Sequence, residues 1–198
     1  MSTIQITHLT FSYPGQDNLF NNQNLIFDSS WKLGLTGRNG RGKTTLLNLI
    51  RGKLSGQGTI TMPLTPLYFP QPVKDPTQDA WIVATEASTA ELLEIQRELA
   101  LMHTDDSLLY RPYESLSGGE QTKVLLAATF ASHTGFPLLD EPTNHLDITG
   151  RDQIAEYLRH TQQGFIVISH DRHFLDAATD HTLTIEKQQL VLTQGSYS

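Results

Sequence analysis

Apolar and polar residues alternate through TIQITHLTFSY (residues 3–13), so an extended segment would bury one face and wet the other. A Pro14-Gly15 turn and a polar loop follow, then NLIFD (residues 24–28) and WKLGLT (residues 31–36). The pattern predicts two outer strands and one buried strand. The period then changes. After a glycine-rich loop, TTLLNLIRGK (residues 44–53) places Leu46, Leu47 and Ile50 on one face of a helix. Short strands are expected at residues 58–62 and 66–69, followed by a proline-containing segment and a helix over residues 89–103. Residues 72–115 therefore read as a small helical subdomain. Beyond them α/β alternation returns, with a helix from about Ser117, a strand at 136–139, a helix at 150–160 and a strand at 165–169. HTLTIEK and QLVLT then resemble a hairpin. Pro137 inside a strand would remove a ladder donor, so that strand either starts at Leu138 or is locally irregular in its hydrogen bonding.

The chain of 198 residues suits one well-buried α/β domain. Its longest strongly apolar stretch, VLLAATFA, is far too short to span a bilayer, which excludes direct membrane insertion by this segment. The start MSTIQITHLTF has neither the basic opening nor the apolar core of a signal peptide, and the cytoplasm is the expected compartment. The absence of cysteine excludes disulfides, thiolate metal sites and cysteine nucleophiles. Net charge is −7, and no run of Lys or Arg offers a footprint for a phosphate backbone, so strong nucleic-acid binding by this chain alone is not expected.

Candidate chemistry begins where strand gives way to helix. Gly37, Arg38, Asn39, Gly40, Arg41, Gly42, Lys43 and Thr44 fit the P-loop spacing of Gly, four residues, Gly, Lys and Ser or Thr. Glycines let the backbone curl so that successive N–H groups point at phosphate oxygens, and the helix presents its positive end. Lys43 would reach the β and γ phosphates, Thr44 would put its hydroxyl on Mg²⁺, and Thr45 completes the nucleotide-binding set.

In FPLLDEP, Asp140 and Glu141 close a short apolar run, the place where ligands sit in open α/β sheets. Asp140 would hold Mg²⁺ through its water shell, while Glu141 would orient and deprotonate an attacking water. LSGGEQ opens the next helix backwards along the chain, and its Ser-Gly-Gly start leaves unobstructed backbone donors, a second anion site. His170 follows FIVIS and could contact the γ-phosphate or the catalytic carboxylate.

Taken together, GRNGRGKTT, the glutamine of LYFPQP, LSGGEQ, LLDEP, NHLD and SHDR resemble the ABC ATPase superfamily in both content and order. The resemblance implies an α/β P-loop NTPase cassette with an antiparallel β subdomain and a helical subdomain, binding ATP and Mg²⁺. It assigns Tyr13 to stacking on adenine, Gln71 to Mg²⁺ and the attacking water, and Ser117, Gly118, Gly119 and Glu120 to the ATP of a second cassette. Asp147 becomes a residue of cross-talk between the two sites, and His170 the switch histidine. EPTNHLD and SHDRHFLD are similar to the ABC-F group, soluble translation factors and ribosome-protecting resistance proteins with two cassettes in one chain. On that resemblance the chain is expected to be an N-terminal half whose interdomain linker, starting near QGSYS, would enter the ribosome. The competing expectation is the ATP-binding subunit of a membrane transporter. A DNA-repair or chromosome-organising ATPase would need long coiled coils between P-loop and LSGGEQ, and no sustained heptads fit there.

Overall fold

A computed structural model describes residues 2–38 and 40–195, for residues 40 and 41 the backbone alone. Two sheets and six helices carry the chain among the described residues. Strands β1 (Thr3–Phe11), β2 (Phe20–Asp28) and β4 (Gln57–Thr61) form an antiparallel sheet in the order β2-β1-β4. The other sheet has the order β5-β6-β7-β3-β8-β9. Its members are β5 (Thr65–Phe69), β6 (Gly135–Asp140), β7 (Phe165–Ile168), β3 (Lys32–Gly37), β8 (His181–Glu186) and β9 (Gln189–Gln194). The first five run parallel, and β9 returns antiparallel along β8.

Alternation along the parallel strands divides the core in two. Phe136, Leu138, Ile166 and Ile168 face helix α1 (Gly40–Ile50) and the antiparallel sheet. Phe69, Leu139, Phe165 and Val167 face the remaining helices. Those are α2 (Ala80–Glu86), α3 (Leu92–Leu101), α4 (Gly118–Ala131), α5 (Ile148–His160) and α6 (Arg172–Ala178). Strands buried on both faces read as apolar runs, which is why β7 is FIVI throughout. Helix α4 is apolar on nearly all sides from Val124 to Ala131 because it lies between that sheet face and α2 and α3. No helix among the described residues is long and apolar enough to cross a membrane.

Several expected boundaries move. Phe20 and the polar residues Asn21 to Gln23 belong to β2 because strand pairing is made by backbone, and here β1 supplies it across two register shifts. Helix α1 starts at Gly40, inside the glycine loop, rather than at Thr44. The helix expected over residues 89–103 is the shorter α3, capped by a reciprocal Glu91–Glu94 box. Helices α2 and α6 were not anticipated. Pro137 does not delay β6, which begins at Gly135 and pairs Pro137 with Leu67 of β5. Pairing with β7 starts only at Leu138, so the ring sits where that ladder has not begun. The β8–β9 hairpin turns on Lys187 and Gln188, both at positive φ (45° and 69°), without the Asn-Gly that usually announces such a turn.

Candidate active site

Parallel strands β6, β7 and β3 are neighbours, so the residues following each of them meet at one edge of the sheet. β3 ends in Gly37. β6 ends in Asp140 and passes to Glu141, and β7 leads through Ser169 to His170. This edge is where the chemistry-bearing residues from three distant parts of the chain come together.

Gly37 is pressed onto β8, and a Cβ there would come 3.0 Å from the Ile185 carbonyl oxygen. The chain then enters α1, so Gly40, Arg41 and Gly42 supply the backbone of a helix N-terminus, whose free N–H groups favour an anion. Asn39 lies outside the described residues, as does the Arg41 side chain. Arg38 is exposed at the mouth of the loop. Lys43 is buried, and its ammonium donates to the Gly37 carbonyl at 2.9 Å, bracing the loop it belongs to. A buried ammonium that donates to a neutral carbonyl would gain more from an anionic acceptor, to which such hydrogen bonds are stronger. Beside the loop lies a cleft of about 730 Å³ between residues 15–19 and 185–188, with Arg38 and Gly42 on its wall.

The Thr44 hydroxyl donates to Asp140 Oδ2 at 3.2 Å, tying the start of α1 to the end of β6. A second donor reaches the same oxygen: the Tyr68 hydroxyl, at 2.7 Å. Burial, reinforced by its hydrogen bond to Asp140, pushes the Tyr68 phenol up to about 12, so it stays a donor. The Arg51 guanidinium lies 4.0 Å from the centroid of the Tyr68 ring. Tyr68 and Arg51 escape the motif reading. Tyr68 stands three residues before Gln71 in LYFPQP, but only strand register shows what its hydroxyl reaches.

Glu141 leaves β6 in the left-handed region (φ 53°), with its N–H donating to the Ile168 carbonyl at 2.9 Å. This fixes its side chain at the sheet edge, where Oε1 lies 3.0 Å from His170 Nε2. Burial raises the Glu141 carboxyl above its ordinary range, while His170 pulls it back down. Asp140 adds a smaller upward push and Lys43 a smaller downward one.

Gln71 is turned toward α4, donating to Thr129 Oγ1 at 2.7 Å and to the Leu125 carbonyl at 3.3 Å. Its Oε1 is buried with no hydrogen-bond partner. The Thr44 hydroxyl and the Asp140 carboxylate, which meet at 3.2 Å, make a hard oxygen-only pair that fits Mg²⁺; the orphaned Gln71 amide oxygen is a further hard donor, on a side chain that its hydrogen bonds hold against α4. The small number of protein ligands also fits, because that ion keeps waters and substrate phosphates in its shell.

Tyr13 is half-buried just beyond β1. Its hydroxyl lies 2.8 Å from Thr45 Oγ1, and its ring meets Phe11 edge-on at 5.0 Å. Phe11 itself is buried in the core.

Ser117 and Glu120 form a capping box at the start of α4: the Glu120 N–H donates to Ser117 Oγ and the Ser117 N–H to Glu120 Oε1. Asp147 caps α5, accepting from the Gly150 N–H at 2.7 Å. The two starts are packed together, since a Cβ on Gly118 would lie 3.1 Å from His145 Cβ, and one on Gly119 would lie 3.3 Å from Leu146 Cδ2. The hydrogen bonds of Ser117, Glu120 and Asp147 are thus local, each closing the start of its own helix.

Comparison with known proteins identifies the family. The family described as ABC transporter matches residues 20–144, more than half of the chain. The chain is similar to the ribosome protection protein VmlR of Bacillus subtilis, at 30% identity over 92% of this chain and 34% of that protein. It is also similar to the erythromycin resistance ATP-binding protein MsrA of Staphylococcus epidermidis, at 35% identity over 84% of this chain and 32% of that one. It thus spans about a third of the length of these relatives. Among solved structures, a metal-chelate type ABC transporter in an inward-facing conformation superposes with a TM-score of 0.81 at 26% identity, over 97% of this chain and 82% of that one. The dimeric post-hydrolysis cassette MJ0796, bound to ADP and Pi, shares the fold with a TM-score of 0.78 at 17% identity, over 96% and 98% of the two chains.

Proposed function

This chain belongs to the ABC transporter family, in which it forms an ATP-binding cassette, and on that premise we propose that it binds Mg-ATP and hydrolyses it when paired with a second cassette. The observation that carries the proposal is the convergence at one sheet edge of a buried Lys43, the Thr44–Asp140 pair and the Glu141–His170 pair.

In this reading the N-terminus of α1 and Lys43 hold the β and γ phosphates, exchanging the Gly37 carbonyl for phosphate oxygens. Tyr13 lies against the adenine, and Arg38 and Gly42 line the cleft that takes the rest of the nucleotide. Thr44 and Asp140, with Gln71, would hold the magnesium ion, which supplies charge neutralisation at the phosphates. Glu141 accepts the proton of a water whose oxygen attacks the γ-phosphorus, and the bond from that phosphorus to the bridging oxygen breaks to release ADP. His170 orients Glu141 and keeps its carboxyl available as a base. Ser117, Gly118, Gly119 and Glu120 serve the ATP of the partner cassette, with Asp147 beside them. A composite site of this kind gives each chain half of two sites related by a two-fold axis.

The wider role we propose is that of an ABC-F ATPase acting on ribosomes, supported by the names of VmlR and MsrA. The transporter reading keeps one specific support, the likeness to the metal-chelate type transporter. Isothermal calorimetry with ATP tests the site: Lys43→Ala should lose most of the nucleotide affinity while melting like the wild type. Unchanged affinity would overturn the assignment. ATP-dependent cosedimentation with ribosomes, using a Glu141→Gln form of the reading frame that carries this cassette, tests the wider role. Co-purification with a membrane subunit and no pelleting with ribosomes would decide for transport.

A further inference from the structure

Tyr68 has no part in the reaction just described, yet its hydroxyl makes the shorter of the two hydrogen bonds to Asp140. We infer that Tyr68 is a positioning residue for Asp140, setting the carboxylate that would face the magnesium ion; the inference rests on the Mg-ATP reading above.

Register explains the reach. Tyr68 of β5 pairs with Leu138 of β6, and both face the core cluster that contains α1. Asp140 is two residues further along β6, so it projects from the same face. A side chain one strand over and one step back must be long to meet it, and tyrosine ends in a donor at that distance. Phe69, on the opposite face, is buried in the other cluster and could not substitute.

Both donors converge on Oδ2. Thr44 approaches from α1 and Tyr68 from β5, so one carboxylate oxygen is held from two sides and Oδ1 is the oxygen engaged by neither. A carboxylate pinned in this way has lost its rotamer freedom before any cation arrives, and a preorganised ligand does not incur that cost on binding. The ring of Tyr68 is itself held. Arg51 follows directly after α1 and stacks its guanidinium on the ring at 4.0 Å, so the helix that carries Thr44 also braces Tyr68. Tyr68 further lies on the strand that leads into Gln71, and a single phenol thus couples that segment to the end of β6.

The competing explanation is packing alone, since Tyr68 is half-buried against its cluster. Tyr68→Phe separates the two, because it keeps the ring and its contact with Arg51 and removes only the donor. The experiment is calorimetric titration of ATP into wild type and Tyr68→Phe, in EDTA and across a series of free Mg²⁺ concentrations. In EDTA the two should agree within about twofold, since a hydroxyl that donates to Asp140 has no partner on the nucleotide. With Mg²⁺, the concentration giving half of the metal-dependent tightening should rise about five- to tenfold in Tyr68→Phe, the upper part of the range for the net worth of one hydrogen bond. Asp140→Asn should abolish most of the metal dependence, and Tyr68→Phe on top of it should add nothing. Arg51→Gln, which leaves the phenol in place and removes its brace, should shift the Mg²⁺ midpoint in the same direction by less; it decides the matter if Tyr68→Phe does not fold. An unchanged Mg²⁺ midpoint in the folded variants would overturn the inference. So would an equal loss of affinity with and without the metal, which is the signature of packing. Failure of the wild type to bind ATP in either condition would instead overturn the site reading and this inference with it.

Discussion

His170 Nε2 stands 3.0 Å from Glu141 Oε1, and the two side chains differ sharply in exposure, 78% against 17%. A solvent-reachable imidazole therefore grips a carboxylate that is mostly withdrawn from water. The backbone supports the grip from the other side, because the left-handed turn at Glu141 directs its N–H to Ile168, two residues before His170.

The pH dependence follows from those opposed influences. Burial raises the Glu141 carboxyl and His170 lowers it, with burial the larger. A base must be ionised to accept a proton, so hydrolysis should fall on the acid side with a midpoint above the ordinary glutamate range of about 4.3. His170→Ala removes the downward pull, and the acid limb should move to still higher pH. A pH–rate profile of both proteins reads this directly, and coincident acid limbs would show that His170 does not act through Glu141.

Gly118 is the residue that lets the start of α4 lie against the NHLD loop. A Cβ there would approach His145 Cβ to 3.1 Å, and that atom is the stiff root of the side chain rather than its adjustable end. Gly118→Ala should leave ATP binding at the P-loop unchanged, lower hydrolysis by the paired cassettes by about tenfold, and cost about 1 kcal/mol of stability, the lower end for overpacking. His145→Gly removes the opposing atom and should restore part of the rate in the double variant. If the double variant is as slow as Gly118→Ala alone, the clash is not the cause.

The sheet edge that carries the site was legible because each of its parts is local: a glycine loop between strand and helix, and an acidic pair closing an apolar run. Leu46, Leu47 and Ile50 fall on the buried face of α1 as their spacing requires. What was illegible depends on contacts between segments distant in sequence. Tyr68 is an ordinary strand aromatic until β5 is laid against β6 with Tyr68 opposite Leu138. The polar half of β2 has no hydrophobic alternation, and only pairing with β1 makes it a strand. Helix α6 is seven residues long, too short for a periodic pattern to emerge, and is held by Phe174 and Leu175 in the core and by its Asp171 cap.

Tyr13 presents two functions that substitutions can separate. Its hydroxyl meets Thr45 Oγ1 at 2.8 Å, fixing the ring beside the start of α1. Tyr13→Phe keeps the aromatic face and loses that bond, so stability should fall by about 1 kcal/mol while ATP affinity changes little. Tyr13→Ala should weaken ATP binding by about threefold to tenfold, the range for one aromatic contact. Phe11→Ala should act differently, costing about 3–5 kcal/mol of stability through a core cavity. Thermal melts and calorimetry on the three variants check this, and loss of affinity in Phe11→Ala alone would transfer the adenine platform to Phe11.

The chain by itself should hydrolyse ATP slowly. Its P-loop and its LSGGEQ segment are both present, but Ser117 and Glu120 are bonded to each other at the start of α4, and neither completes the site around Lys43. In the proposed composite site a second cassette brings the missing donors. Two separate copies would have to overcome the loss of translational and rotational freedom that a covalent tether largely removes by raising effective concentration. Each copy also carries a net charge of −7, so at low salt repulsion opposes pairing and added salt should help it. Glu141→Gln preserves the shape of the site and removes the base, so ATP should persist between the two copies and hold them together. Multi-angle light scattering in Mg-ATP should therefore show a monomeric wild type and a dimeric Glu141→Gln, with phosphate release rising faster than linearly with wild-type concentration and absent from the variant. Brisk turnover strictly proportional to the concentration of a monomeric wild type would refute the shared site, and undiminished turnover by Glu141→Gln would remove that residue from the reaction.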